Sequence, residues 1–141
     1  MRDEHGNWVA SFTRHVGATN SFAVELWGLR DGLMLCCSLN IPYLIVEIDA
    51  KVVVDVLQNY DYVNHVISPI LDDCKQLMTR FQQVQVKHCY RCANLTARLR
   101  VDQELDYILF TSPLVDLAKA MEDDCNGVCF NRLCTELEVV C

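Results

Sequence analysis

Ile41-Pro42-Tyr43-Leu44-Ile45-Val46-Glu47-Ile48-Asp49 is the stretch on which the fold of this 141-residue chain turns. Pro42 stops whatever precedes it, and Tyr43–Ile48 is then a near-continuous apolar run of strand length. Such a run predicts a strand buried on both faces, as in a parallel sheet covered by helices. Ala50–Asn59 reads as a short helix directly after it. Asp49 lies between the two, where an Asp from residue pattern alone is first of all an N-cap. The competing reading is a ligand position, because open α/β sheets bind at the carboxyl ends of their strands.

Upstream, Thr19, Asn20 and Ser21 are N-cap candidates for a helix that runs to about Leu39. Its apolar stripe is Phe22, Leu26, Leu29, Leu33 and Cys36, at helical spacing. Glu25 falls on the flank of that stripe. By pattern it is a partly exposed carboxylate at the stripe's edge. Were it buried, it would need a metal, a base or hydrogen bonds to meet its charge. Before this helix, Trp8–Thr13 reads as a strand that follows a polar turn at Asp3–Asn7.

Downstream, Ser68-Pro69 opens a helix with Ile70, Cys74, Leu77 and Phe81 on one side. Val84-Gln85-Val86-Lys87-His88 alternates like a half-buried strand. Short helical pieces are expected near Asn94–Arg100 and Leu114–Met121. Strand, helix, strand, helix, helix, strand, helix is an α/β order.

Charge divides the chain. Residues 1–103 hold 10 basic and 11 acidic side chains, whereas 104–141 hold 2 basic and 8 acidic. Between these averages, 75–100 contains Lys75, Arg80, Lys87, Arg91, Arg98 and Arg100 with no acidic residue. The reading is a body at 1–103, one basic stretch within it, and an acidic C-terminal extension at 104–141. The net charge of −7 argues against a strong nonspecific grip on nucleic acid by the whole chain. No apolar run approaches the roughly 20 residues of a membrane span. Nothing at the start resembles a signal peptide, so the expectation is an intracellular protein, nuclear or cytoplasmic.

Nine cysteines in such a chain read as reduced thiols rather than a disulfide framework. Cys89-Tyr90-Arg91-Cys92 is a single CxxC. Cys125, Cys129 and Cys134 follow too irregularly to supply the second pair of a zinc site.

SFAVELWGLRDGL at 21–33, IPYLIVEIDAKVVVDVLQN at 41–59, ISPILDDCKQLM at 67–78 and QVKHCYRCAN at 85–94 together resemble the ribonuclease H-like domain of plant retroelement-derived proteins. The resemblance covers residues 1 to about 103. It implies a mixed sheet flanked by helices, and an activity that cleaves the RNA strand of an RNA–DNA hybrid with Mg²⁺. It assigns Glu25 and Asp49 as catalytic, metal-holding carboxylates. Lys87, His88, Arg91 and Asn94 become the nucleic-acid-binding residues. It also implies that the family's first, central strand with its leading Asp would lie upstream of Met1, so this chain is expected to lack it. Asp3, in the turn before Trp8, does not replace that Asp. The fourth carboxylate, counted from His88, falls on Arg98, and Asp102 is the nearest acid. Two carboxylates where the family uses four should weaken metal binding, since each supplies both a ligand oxygen and neutralising charge. The expected function is thus that of a ribonuclease H-like domain with impaired or lost hydrolysis. The alternative is a non-catalytic remnant that binds nucleic acid or protein. With the central strand gone, its two neighbours are left with open edges unless they close on each other or recruit another segment, for which Asp106–Phe110 is one candidate.

Overall fold

The computed structural model describes residues 1–5, 7–17, 19–59, 67–88 and 107–112. Four strands and three helices follow in the order β1 (Ser11–Arg14), α1 (Ser21–Ser38), β2 (Tyr43–Ile48), α2 (Lys51–Gln58), α3 (Ser68–Met78), β3 (Gln83–His88) and β4 (Tyr107–Phe110). The strands form two small sheets. β2 and β3 are parallel, with Tyr43 opposite Gln83 and Ile48 opposite His88. β1 and β4 are antiparallel, with Ser11 opposite Phe110 and Arg14 opposite Tyr107. This mixed α/β arrangement agrees with a ribonuclease H-like fold.

α1 begins where its cap residues place it. Asn20 is the N-cap, and its side chain accepts the Ala23 N–H at 2.8 Å. Its end is a Schellman motif. Asn40 takes the left-handed conformation (φ 55°), while the Asn40 and Ile41 amides return to the Cys37 and Cys36 carbonyls, both at 3.1 Å. Asn tolerates that conformation better than most residues, and Pro42 then prevents any continuation. Leu26, Leu29, Leu33 and Cys36 of the expected stripe are fully buried. They share one core with Leu44, Val46 and Ile48 of β2, with Val53, Val56 and Leu57 of α2, and with Leu71, Cys74 and Leu77 of α3.

Two local expectations need correction. β2 is buried on one face only: Leu44, Val46 and Ile48 are inside, but Tyr43 and Ile45 are 61% and 39% exposed. The helices cover one side of the β2–β3 pair, so an apolar run here does not mean two covered faces. α3 has Ile67 rather than Ser68 at its cap position, which moves Ser68 into the first turn beside Pro69. Leu71 joins Cys74 and Leu77 in the core, while Ile70 is half-buried. Tyr107–Phe110, within the run named as a candidate to fill a sheet edge, forms β4 and pairs with β1. The helical pieces expected at 94–100 and 114–121 lie outside the described residues.

The β1–β4 ribbon is tied to the helices by one buried carboxylate. Asp31 of α1, its side chain 3% exposed, accepts from Arg14 Nε and Nη2 of β1 and from Arg30 Nη1 at 3.4 Å. Arg30 Nε in turn donates to Asp73 of α3. Both guanidiniums lie against the Trp27 ring, Arg14 at 5.0 Å and Arg30 at 5.4 Å from its centroid. Tyr107, opposite Arg14 in the register, stacks on Phe12 with ring centroids 5.8 Å apart. Burial chiefly raises its hydroxyl pKa; the nearby Asp31 charge adds to this and Arg14 opposes it. Four elements therefore meet around Asp31.

Removing that charge takes from Arg14 the carboxylate it pairs with and leaves Arg30 to Asp73. Breaking a fully buried pair typically costs about 3–5 kcal/mol. Arg14 and Arg30 keep side-chain exposures of 30% and 25%, so water offsets part of the loss. Asp31→Asn should lower stability by about 2 kcal/mol in urea unfolding. Leu33→Ala should cost about 3 kcal/mol, and Met34→Ala, one residue on but exposed, under about 0.5 kcal/mol.

Candidate functional site

A parallel pair carries the carboxyl ends of both strands to the same edge. β2 ends at Ile48 and β3 at His88, and these two residues are register partners. Asp49 follows immediately. The His88 ring meets it there: Nε2 lies 3.0 Å from the Asp49 backbone carbonyl. A carbonyl only accepts, so Nε2 carries the proton in this contact. Among the described residues, Asp49 and His88 are thus two expected site residues that the fold brings together, and a 39-residue separation in sequence is closed by strand pairing.

Asp49 does not cap α2. Ala50 occupies the N-cap position, and no side chain makes a capping hydrogen bond there. The carboxylate that pattern alone assigns to a cap instead stands half-buried at the strand end. Desolvation raises its pKa above the ordinary aspartate value. Its own amide and that of Ala50 pull in the opposite direction, as does the charge of His88.

Glu25 also departs from the reading that spacing favours. It is 4% exposed, in the second turn of α1 between the half-buried Val24 and the fully buried Leu26. Leu26 borders α3, where its carbonyl accepts the Cys74 thiol at 3.6 Å. Cys74 is completely enclosed, and its pKa is pushed up to about 12, chiefly by burial. It is a core thiol with no nucleophilic character near neutral pH. Cys36 is equally buried, and none of Cys36, Cys37 and Cys74 is in a disulfide.

Lys87 and His88 are adjacent in sequence and therefore on opposite faces of β3. His88 shares the helix-covered side with Val84 and Val86. Lys87 shares the exposed side with Gln83 and Gln85. Lys87 and His88, two of the residues expected to contact nucleic acid, therefore do not share a face. Arg91 and Asn94 lie outside the described residues, as do Arg98, Asp102 and the Cys89–Cys92 motif.

Asp3 is committed to its turn. Its carboxylate accepts from the His5 amide, the Asn7 amide and the Asn7 side chain at 2.8–2.9 Å. The Asn7 hydrogen bonds lower its pKa. The group that residue spacing missed is the Arg14–Asp31–Arg30–Asp73 network. Its one sequence signal was a charged residue, Asp31, between the apolar Leu29 and Leu33 on a buried helix face.

Magnesium favours octahedral oxygen coordination, and two ions need several carboxylates between them. Among the described residues, no group of three or more His, Cys, Asp or Glu side chains is arranged to hold a metal ion. Glu25 and Asp49 alone do not make a two-ion cage, and no metal-dependent step follows from them.

A family model described as reverse transcriptase-like matches residues 1–102. No curated protein and no solved structure gives a significant match. Among the described residues, no helix is long and apolar enough to cross a membrane.

The raised pKa of Asp49 has a consequence for stability. The folded state binds this proton more tightly than the unfolded chain, so the group favours folding at low pH. That contribution is lost as pH rises from the ordinary aspartate value through the raised one. Asp49→Asn should therefore raise the melting temperature at pH 7 relative to the parent. The gain should shrink toward pH 3.5, when both are followed by circular dichroism.

Proposed function

The chain belongs to the reverse transcriptase-like family, and from that premise we propose that it is a ribonuclease H-like nucleic-acid-binding domain whose hydrolytic activity is impaired or lost. The family is ribonuclease H-like and nucleic-acid related. The RNA–DNA hybrid as ligand, the retroelement origin in plants and the loss of turnover are the finer parts of this reading. One observation carries the loss of turnover. Counted from His88, the position of the family's fourth carboxylate is held by Arg98, a cation where a metal ion needs an anion.

In this reading Glu25 and Asp49 are the remaining positions of the family's acidic site, and any Mg²⁺ bound there would rely on them. Mg²⁺ would supply Lewis-acid activation of water at a phosphodiester. The protein's own contribution is binding. Lys87, with Arg91 and Asn94 further along the chain, provides contacts to phosphate. His88 fixes the end of β3 against Asp49 through its ring N–H. A basic stretch of six side chains without a carboxylate at 75–100 supports this assignment more strongly than the net charge opposes it. Phosphate contacts are local, and their strength depends on the charges beside them.

The test has two parts. Incubated with a labelled RNA–DNA hybrid in Mg²⁺ or Mn²⁺, the folded chain should leave the RNA strand intact. Cleavage that vanishes in Glu25→Gln would show that another group completes the metal site, and the claim of lost turnover would fall. In fluorescence anisotropy the same hybrid should bind with an affinity that declines with salt. Lys87→Ala should make the log–log salt slope shallower by about 0.9, the value of one phosphate contact. Salt-independent binding, or none, would remove the nucleic-acid reading altogether.

A further inference from the structure

The parallel pair presents a second surface that the strand-end site does not use. Tyr43, Ile45 and Glu47 of β2 lie directly opposite Gln83, Gln85 and Lys87 of β3 on the side away from the core. Tyr43 is 61% exposed and Ile45 39%, and all three β3 residues are exposed. Only two of the six are apolar. That is little for a protein–protein contact, whose buried centre is depleted of charge. The chemistry fits another partner. An exposed tyrosine on a flat strand offers a stacking surface to any base, and glutamine amides both donate to and accept from base edges.

Charge and spacing point the same way. β3 lies within the 75–100 stretch that holds six basic and no acidic side chains. Arg80 precedes it and Lys87 ends its exposed row; Glu47, half-buried opposite Lys87, is the one carboxylate among the six register partners. Residues alternating on one face of a strand are about 6.6 Å apart, close to the stride of an extended nucleotide chain. A strand of nucleic acid laid along β2 and β3 can stack a base on Tyr43 and reach Lys87 with a phosphate further on.

We infer that the outer face of β2 and β3, with Tyr43 as its stacking residue and Lys87 as its phosphate contact, binds single-stranded nucleic acid. This inference rests on the nucleic-acid reading above but places the contact on the face of β3 opposite His88. It differs from a duplex contact in depending on an aromatic ring, because bases inside a duplex are already stacked.

The experiment is a fluorescence-anisotropy titration of the full chain with fluorescein-labelled oligothymidylate, run beside the RNA–DNA hybrid. Tyr43→Ala should weaken single-strand binding about tenfold, the usual consequence of losing one base-stacking ring. Tyr43→Phe should retain it, and Val52→Ala, an exposed apolar change on α2, should have no effect. Both sites are exposed, so circular dichroism should show each of the three variants folded. Hybrid binding that persists while single-strand binding ignores Tyr43 would overturn this inference alone. Absence of binding to every nucleic acid would overturn the proposed function with it. A dimer in sedimentation that Tyr43→Ala converts to monomer would show that a second copy occupies the face, and would also overturn the inference.

Discussion

Asp31 is the constraint on which the described structure depends. A carboxylate with a 3% exposed side chain cannot remain charged in a protein interior without cations within hydrogen-bonding reach. It obtains them from two places, Arg14 on β1 and Arg30 on its own helix, and Arg30 is shared with Asp73 of α3. The ring of Trp27 completes the arrangement by taking both guanidiniums against its face. A four-residue, two-stranded ribbon is too short to hold itself in place. The ion pair gives the β1–β4 ribbon a fixed position on the helices that its few apolar side chains do not provide. Phe12 and Tyr107 stack beside it, and the register of the ribbon follows from that stack and from Arg14.

The second constraint is the parallel pairing of β2 and β3. It imposes two separate chemistries on a six-residue strand pair. At the carboxyl edge it brings Asp49 and His88 together, with the imidazole N–H used on a backbone carbonyl. Across the faces it separates His88 from Lys87, because neighbours along a strand point to opposite sides. Two neighbouring residues expected to act together are therefore divided, His88 half-buried and Lys87 exposed. His88 organises the strand end; Lys87 is available to a ligand.

Much of the architecture was legible from residue order. The Asn20 cap, the Leu26–Leu29–Leu33–Cys36 stripe and the Pro42 stop define α1 because capping and side-chain periodicity are local effects. The alternation from Val84 to His88 gives β3 for the same reason. What failed were inferences about neighbours. Glu25 sat at the margin of a stripe, and its burial depends on how α1 lies on the core. Asp49 had the right surroundings for a cap, yet the chain turns one residue later and Ala50 takes that place. Tyr43 and Ile45 looked like core because nothing local reports that a sheet face is uncovered.

The sequence by itself determined most of the helices and strands, the Asn20 cap and Pro42 stop of α1, and the family that residues 1–102 match. These follow from hydrogen bonding and periodicity within a few residues, or from a pattern of residues in order. Only the tertiary structure decided that Asp31 is buried against Arg14 and Arg30, that His88 faces Asp49 while Lys87 does not, and that Tyr43 meets solvent. Each of those depends on contacts between segments many residues apart. Such contacts are fixed by the packing of whole elements, which no local pattern encodes.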